Sequence, residues 1–162
     1  MKEDDAHMII SIVNIEPIQV AALAHLDEPK TVEHSIEAFR AWRQESGCSP
    51  VTEKRSFGVA HSNPEARVAE KFRFDICGEV DDDIPDNAYG VINSEIPAGR
   101  YARLRHKGSL ETINLKVNAL YRNWLPTTQE SRRESPIFFE YLNVSPAVPD
   151  SELMTDIYFP LR

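Results

Sequence analysis

Val20-Ala-Ala-Leu-Ala-His25, laid against Tyr101-Ala-Arg-Leu-Arg-His106, keeps a small second residue, a leucine and a closing histidine at an offset of 81. The match runs on downstream. Thr31-Val-Glu-His-Ser-Ile-Glu-Ala-Phe39 meets Thr112-Ile-Asn-Leu-Lys-Val-Asn-Ala-Leu120 at the same offset, and Trp42 and Trp124 differ by 82. Phe57 to Pro64 aligns with Phe139 to Pro146, Phe72 to Gly78 with Met154 to Phe159, and Asp75-Ile76 falls on Asp156-Ile157. Four blocks in one order, at offsets of 81 and 82, read as a duplication of roughly 80 residues. The copies are placed at residues 8–83 and 88–162 of a single domain spanning 1–162.

Each copy carries one helical and several strand-like segments. From Pro29 to Glu45, Val32, Ile36, Phe39 and Arg43 recur at steps of three and four, with Asp27 and Pro29 suited to the helix start. From Leu110 to Leu125, Ile113, Val117, Leu120 and Trp124 form the matching stripe, and Pro126 ends it. Strands are expected at Ile9 to Ile15, Val20 to Leu26, Phe57 to His61, Phe72 to Gly78, Tyr89 to Ile96, Tyr101 to His106, Ile137 to Asn143 and Leu153 to Leu161. Pro-Ala-Gly99, Ser-Asn-Pro64, Val-Ser-Pro146 and Val-Pro-Asp150 supply turn chemistry between them. The implied fold class is α+β: two copies of strand, strand, helix, strand, strand with pseudo-twofold symmetry and a groove expected between them.

Composition narrows the function. The chain has 162 residues, of which 41% are apolar, enough for a core. Its formal charge of −8 is opposite to the basic footprint of non-specific phosphate binding, so direct nucleic-acid binding is not expected. The start, Met1 to Ala6, is acidic, and the apolar run Met8 to Val13 is too short for a signal peptide or a span. These features read as a soluble cytoplasmic chain without membrane contact. Two cysteines, Cys48 and Cys77, form no CxxC pair and support neither a disulfide framework nor a zinc site. His25 and His106, at equivalent strand ends, read as turn histidines, and Asp75 and Asp156 as hydrogen-bonding positions. Asp81-Asp82-Asp83 reads as a solvated linker without a calcium-loop pattern. No cofactor or metal is implied.

Pro136-Ile-Phe-Phe-Glu-Tyr-Leu-Asn143 is the most informative segment for function. Strand alternation puts Phe138, Glu140 and Leu142 on one face and Ile137, Phe139 and Tyr141 on the other. A carboxylate between a phenylalanine and a leucine must be paired or wet. Two readings stay open: Glu140 lines a ligand cavity, or it pairs with an arginine such as Arg103, Arg105 or Arg122. Its counterpart in the first copy is Gly58, so the two copies differ there.

The Tyr-Ala-x-Leu-x-His-Lys-Gly108 strand, Trp124, Phe-Phe-Glu-Tyr-Leu-Asn143 and the closing Asp-Ile-Tyr-Phe-Pro160 resemble the GyrI-like small-molecule-binding domain. The same domain is the effector-binding part of some AraC-type and MerR-type regulators, and the resemblance implies its fold, duplicated strand-helix-strand-strand modules with antiparallel sheets around a central ligand cleft. The resemblance covers roughly residues 8 to 162, but without a helix-turn-helix, so it implies a stand-alone form. It implies non-catalytic binding of amphipathic, cationic drugs, dyes or effectors, with Glu140 as counter-charge. Trp124, Phe138, Tyr141, Tyr101, Tyr89, Leu142 and Gly58 are the further candidate ligand residues, with Tyr158 among the aromatic faces open to a cation. Family members also include hydrolases of cyclopropane-bearing genotoxins and a gyrase inhibitor. A pocket glutamate with a tyrosine, or a protein partner meeting the acidic surface, are therefore alternatives. A monomer or homodimer is expected.

Overall fold

The computed structural model describes residues 9–26, 28–61 and 73–162. Met8, Asp27, the turn at Ser62-Asn63-Pro64 and Phe72, all invoked above, lie outside the described residues. The strands are β1 (Ile10–Ile15), β2 (Ile18–His25), β3 (Ser56–Ala60), β4 (Phe74–Glu79), β5 (Ile92–Ile96), β6 (Gly99–Lys107), β7 (Ile137–Tyr141) and β8 (Met154–Leu161). Among the described residues two α-helices, α1 (Val32–Ser46) and α2 (Ile113–Ala119), accompany them. The class is α+β, every described strand pairing is antiparallel, and the chain divides into two compact units.

The unit Glu16–Ala98 orders its strands β3-β4-β2-β5. Its core joins Ala21 of β2 and Phe39 and Trp42 of α1 to Val80, Ile84 and Val91. The acidic run is therefore more than a linker. Asp81, Asp82 and Asp83 are exposed, but their flanking Val80 and Ile84 are buried, and Lys54 and Gln19 hold Asp81 and Asp83 at 2.7 and 3.1 Å. The expected α1 stripe is also corrected, because Phe39 and Trp42 are its buried residues and Arg43 is a polar hub. Arg43 donates from Nε to the Ser49 carbonyl at 2.6 Å, from Nη1 to Ser56 Oγ at 2.7 Å and from Nη2 to Ser49 Oγ at 2.9 Å. Burial lowers its pKa, yet a guanidinium stays charged, so these acceptors are what make its position tolerable. Gly47, at φ 67°, closes α1 with its N–H on the Arg43 carbonyl.

The other unit comprises Met1–Ile15 and Gly99–Arg162, with strand order β1-β6-β8-β7. Ile113, Val117 and Leu120 are buried, as the stripe requires, but Trp124 is only half-buried. The reason lies in the backbone. After Ala119 the helix widens into a π-turn, Leu120–Trp124, which turns fewer degrees per residue and rotates Trp124 off the stripe. A 3₁₀ turn, Leu125–Thr127, with Pro126 inside it, then ends the helical segment.

Candidate functional site

The register of the 99–162 strands sorts their side chains onto two faces. Phe138, Tyr158 and Arg103 form one rung across β7, β8 and β6, and Glu140, Asp156 and Arg105 form the next. These six share a face, and so does Tyr101, two residues before Arg103. The opposite face carries Phe139, Tyr141, Thr155, Ile157, Phe159 and Leu104, and the π-turn that follows α2 reaches that side, where the Tyr121 ring meets Phe159 edge-on at 4.9 Å.

On the Glu140 face three rings pack together. Phe138 and Tyr158 stack with centroids 4.4 Å apart and planes 6° from parallel, and Tyr101 meets them edge-on at 5.2 and 6.0 Å. All three are buried. A cation already covers Tyr101: the Arg133 guanidinium lies 4.8 Å from its centroid, donating to the Leu161 and Arg100 carbonyls.

The next rung is charged. Arg105 grips the buried Asp156 with Nε at 2.8 Å and Nη2 at 3.1 Å, a bidentate pair that raises the Arg105 pKa. A smaller push in the same direction comes from Glu140, whose charge therefore reaches Arg105. The Tyr158 hydroxyl is pushed up by burial; a hydrogen bond from Arg103 opposes this, and the Glu140 charge adds to it. Glu140 is thus half-buried and electrostatically tied to a phenol and an arginine of its own face.

The candidate residues scatter from this point. Phe138, Tyr101 and Glu140 share one face, and Leu142, 40% exposed just beyond β7, continues their alternation. Tyr141 is on the opposite face, paired with Thr155, and Trp124 stands in the π-turn. Tyr89 and Gly58 belong to the 16–98 unit: Tyr89 packs on the core around Trp42, and Gly58 is buried opposite Ile76. Sequence reasoning missed Arg133, because nothing in its spacing reveals that it lies over Tyr101. It placed Tyr158 only among several aromatics, although its counterpart in the strand pairing is Phe138.

The equivalent histidines are occupied by local turns. His25 Nε2 lies 2.8 Å from the Glu28 carbonyl and His106 Nε2 2.9 Å from the Ser109 carbonyl, so each ring must donate there. Thr31 and Thr112 hydroxyls sit at 3.3 and 3.1 Å from the same nitrogens. Asp75 is held by His61 at 2.8 Å and by Arg73 at 3.1 Å. Burial pushes the Cys77 thiol up, reinforced by the Asp75 charge, which keeps it protonated and unreactive. Among the described residues no cluster of three or more potential metal ligands occurs, and no helix is long and apolar enough to cross a membrane.

Comparison with known proteins matches residues 8–162 to the GyrI-like small molecule binding domain. A relative from Escherichia coli (strain K12), named probable transcriptional regulator YgiV, is 44% identical over 152 residues, covering 94% of this chain and 95% of its own. The crystal structure of the EcmrR C-terminal domain superposes with a TM-score of 0.76 at 17% identity, covering 96% of this chain and 98% of that one. The structure of SAV2435 bound to tetraphenylphosphonium superposes with a TM-score of 0.60 at 10% identity, covering 96% and 94%. At those identities the two structures speak for the fold, whereas the full-length match speaks for the family: this chain belongs to the GyrI-like small-molecule-binding domains.

Proposed function

We propose that the domain binds amphipathic cations without converting them, on the Glu140 face of the 99–162 unit, with Glu140 as counter-charge. The observation that carries this reading is the register: Glu140 stands one rung from the stacked Phe138 and Tyr158 rings, on their face. The rings are buried, whereas Glu140 is half-buried and Leu142 exposed, so a ligand approaches from the Glu140 end. A cation about 4 Å from the carboxylate gains roughly 4 kcal/mol at an effective dielectric of 20, less the desolvation of both partners. Contact with an aromatic face adds about 0.5 to 2 kcal/mol. The tetraphenylphosphonium named for SAV2435, a lipophilic cation on the same fold, is in keeping with this chemistry.

The test is titration of rhodamine 6G into wild type and Glu140→Gln, read by dye anisotropy. The expected result is micromolar binding that weakens at least tenfold in the variant, about 1.4 kcal/mol. Folded wild type with no saturable binding overturns the proposal.

The same reading treats the two units as copies of one module within a single domain. Its support is the His25 and His106 turns, which repeat a ring-to-carbonyl bond three residues on with a threonine hydroxyl beside it. Asp75 and Asp156, buried on β4 and β8, are each held by an arginine.

A further inference from the structure

The Glu140 face is not simply acidic. Along β6, Arg103, Arg105 and Lys107 alternate onto it. Arg105 is neutralised by Asp156. Lys107 is exposed at the strand end, opposite Met154. Arg103 is different: it is half-buried, its rung partner is Tyr158, its β1 neighbour is Ser11, and its hydrogen bond goes to the neutral Tyr158 hydroxyl. It forms no ion pair among the described residues.

A partly desolvated guanidinium whose partner among the described residues is a phenol has unspent donor capacity there, since it offers five N–H groups in a fork shaped for an oxyanion. Holding such a charge beside stacked rings costs solvation that an anion would restore. Between Arg103 on β6 and Glu140 on β7 lies β8, and Glu140 belongs to the next rung, so the two residues stand two strand spacings across and two residues along from each other, roughly 12 Å at the backbone, with Tyr158 on the strand between them. A purely cationic ligand laid on this face would meet Glu140 favourably and Arg103 unfavourably.

We infer that the ligand this face selects is zwitterionic: an aromatic body with a cationic group set against Glu140 and a carboxylate or similar oxyanion set against Arg103. The inference rests on the cation-binding reading above for its first half and adds the anion as a specificity element. Arg103 then works as a selectivity residue, rewarding the anionic group and penalising bare cations.

Two dyes that differ by one methyl ester test it. Rhodamine 123 is the ester and a cation; rhodamine 110 is the free carboxylate and a zwitterion. Both are titrated by anisotropy into wild type, Arg103→Gln and Glu140→Gln, with a thermal melt of each variant. The expected result is that wild type binds rhodamine 110 at least fivefold more tightly, and that Arg103→Gln erases the preference. Glu140→Gln weakens both dyes. Equal affinity in wild type, or tighter binding of rhodamine 123, overturns the zwitterion inference and leaves cation binding standing if Glu140→Gln still weakens both dyes. A carboxylate preference that needs Arg103 but survives Glu140→Gln unweakened overturns the cation half instead. Failure of folded wild type to bind either dye overturns both. The wild-type comparison decides the matter even if Arg103→Gln does not fold.

Discussion

At the scale of single residues, Gly78 shows how a position without chemistry limits the fold. A Cβ built there would stand 2.5 Å from Ser49 Oγ and 3.1 Å from the Arg43 guanidinium. Neither neighbour gives way freely, because Ser49 Oγ donates to the Glu79 carbonyl at 2.8 Å and accepts from Arg43. Gly78→Ala is therefore expected to lower stability by about 1 to 3 kcal/mol, the usual range for overpacking, as measured by urea unfolding. An unchanged midpoint would mean that the Arg43 hub is loose. This hub was not legible in the sequence. Helical spacing puts Arg43 in line with Val32, Ile36 and Phe39, but its partners Ser49, Lys54 and Ser56 come from the following loop and β3, whose path no periodicity describes. Glu140 was legible, because a carboxylate on an otherwise apolar strand face stands out in any register. Arg103 was legible only as a possible partner for it, not as a charge whose hydrogen bond is to a tyrosine.

Among elements, the ends of β3 and β4 are tied together by Asp75. Burial alone would raise the pKa of this carboxyl; hydrogen bonds from His61 and Arg73, with their charges, outweigh it and hold it below the ordinary value. A depressed folded-state pKa contributes stability that is fully present above the unfolded value, near 4, and is lost as the pH falls through the folded one. Wild type should thus lose stability more steeply than Asp75→Asn between about pH 5 and pH 2, the variant being the less stable at pH 7. Parallel curves from denaturant melts across that range would show that Asp75 contributes nothing through its charge. Strand and helix positions followed from alternation and three-four spacing, with small shifts at the ends. What alternation does not carry is partnership. The opening strand, read as the start of the first copy, pairs with β6, and the strand read from Tyr89 onward begins at Ile92 and pairs with β2. Trp124 left its stripe because a π-turn leaves no mark in the residue pattern.

For the whole molecule, α+β was legible from segments of strand alternation set beside segments of three-four helical spacing, and the formal charge of −8 spoke against non-specific phosphate binding. The order of the strands, by contrast, has a consequence for how the chain becomes protein. Glu16–Ala98 is one uninterrupted stretch, whereas the other unit takes its edge strand from Ile10–Ile15 and everything else from Gly99 onward. During synthesis β1 emerges first and waits: its neighbour β6 appears only after all of the 16–98 unit has been made. Closing so long a loop carries a real entropic cost, though one that grows slowly with length. Pulse-labelled hydrogen exchange during refolding should find the amides of Ile18–His25 protected before those of Ile10–Ile15; the reverse order would mean that the early strand finds its mate without delay. A ribosome-bound chain in that interval carries an unmated, uncharged strand, Ile-Ser-Ile-Val-Asn-Ile, which is the sort of segment that recruits neighbours. Codon choice and chaperone access between residues 16 and 107 then bear on yield more than on final stability.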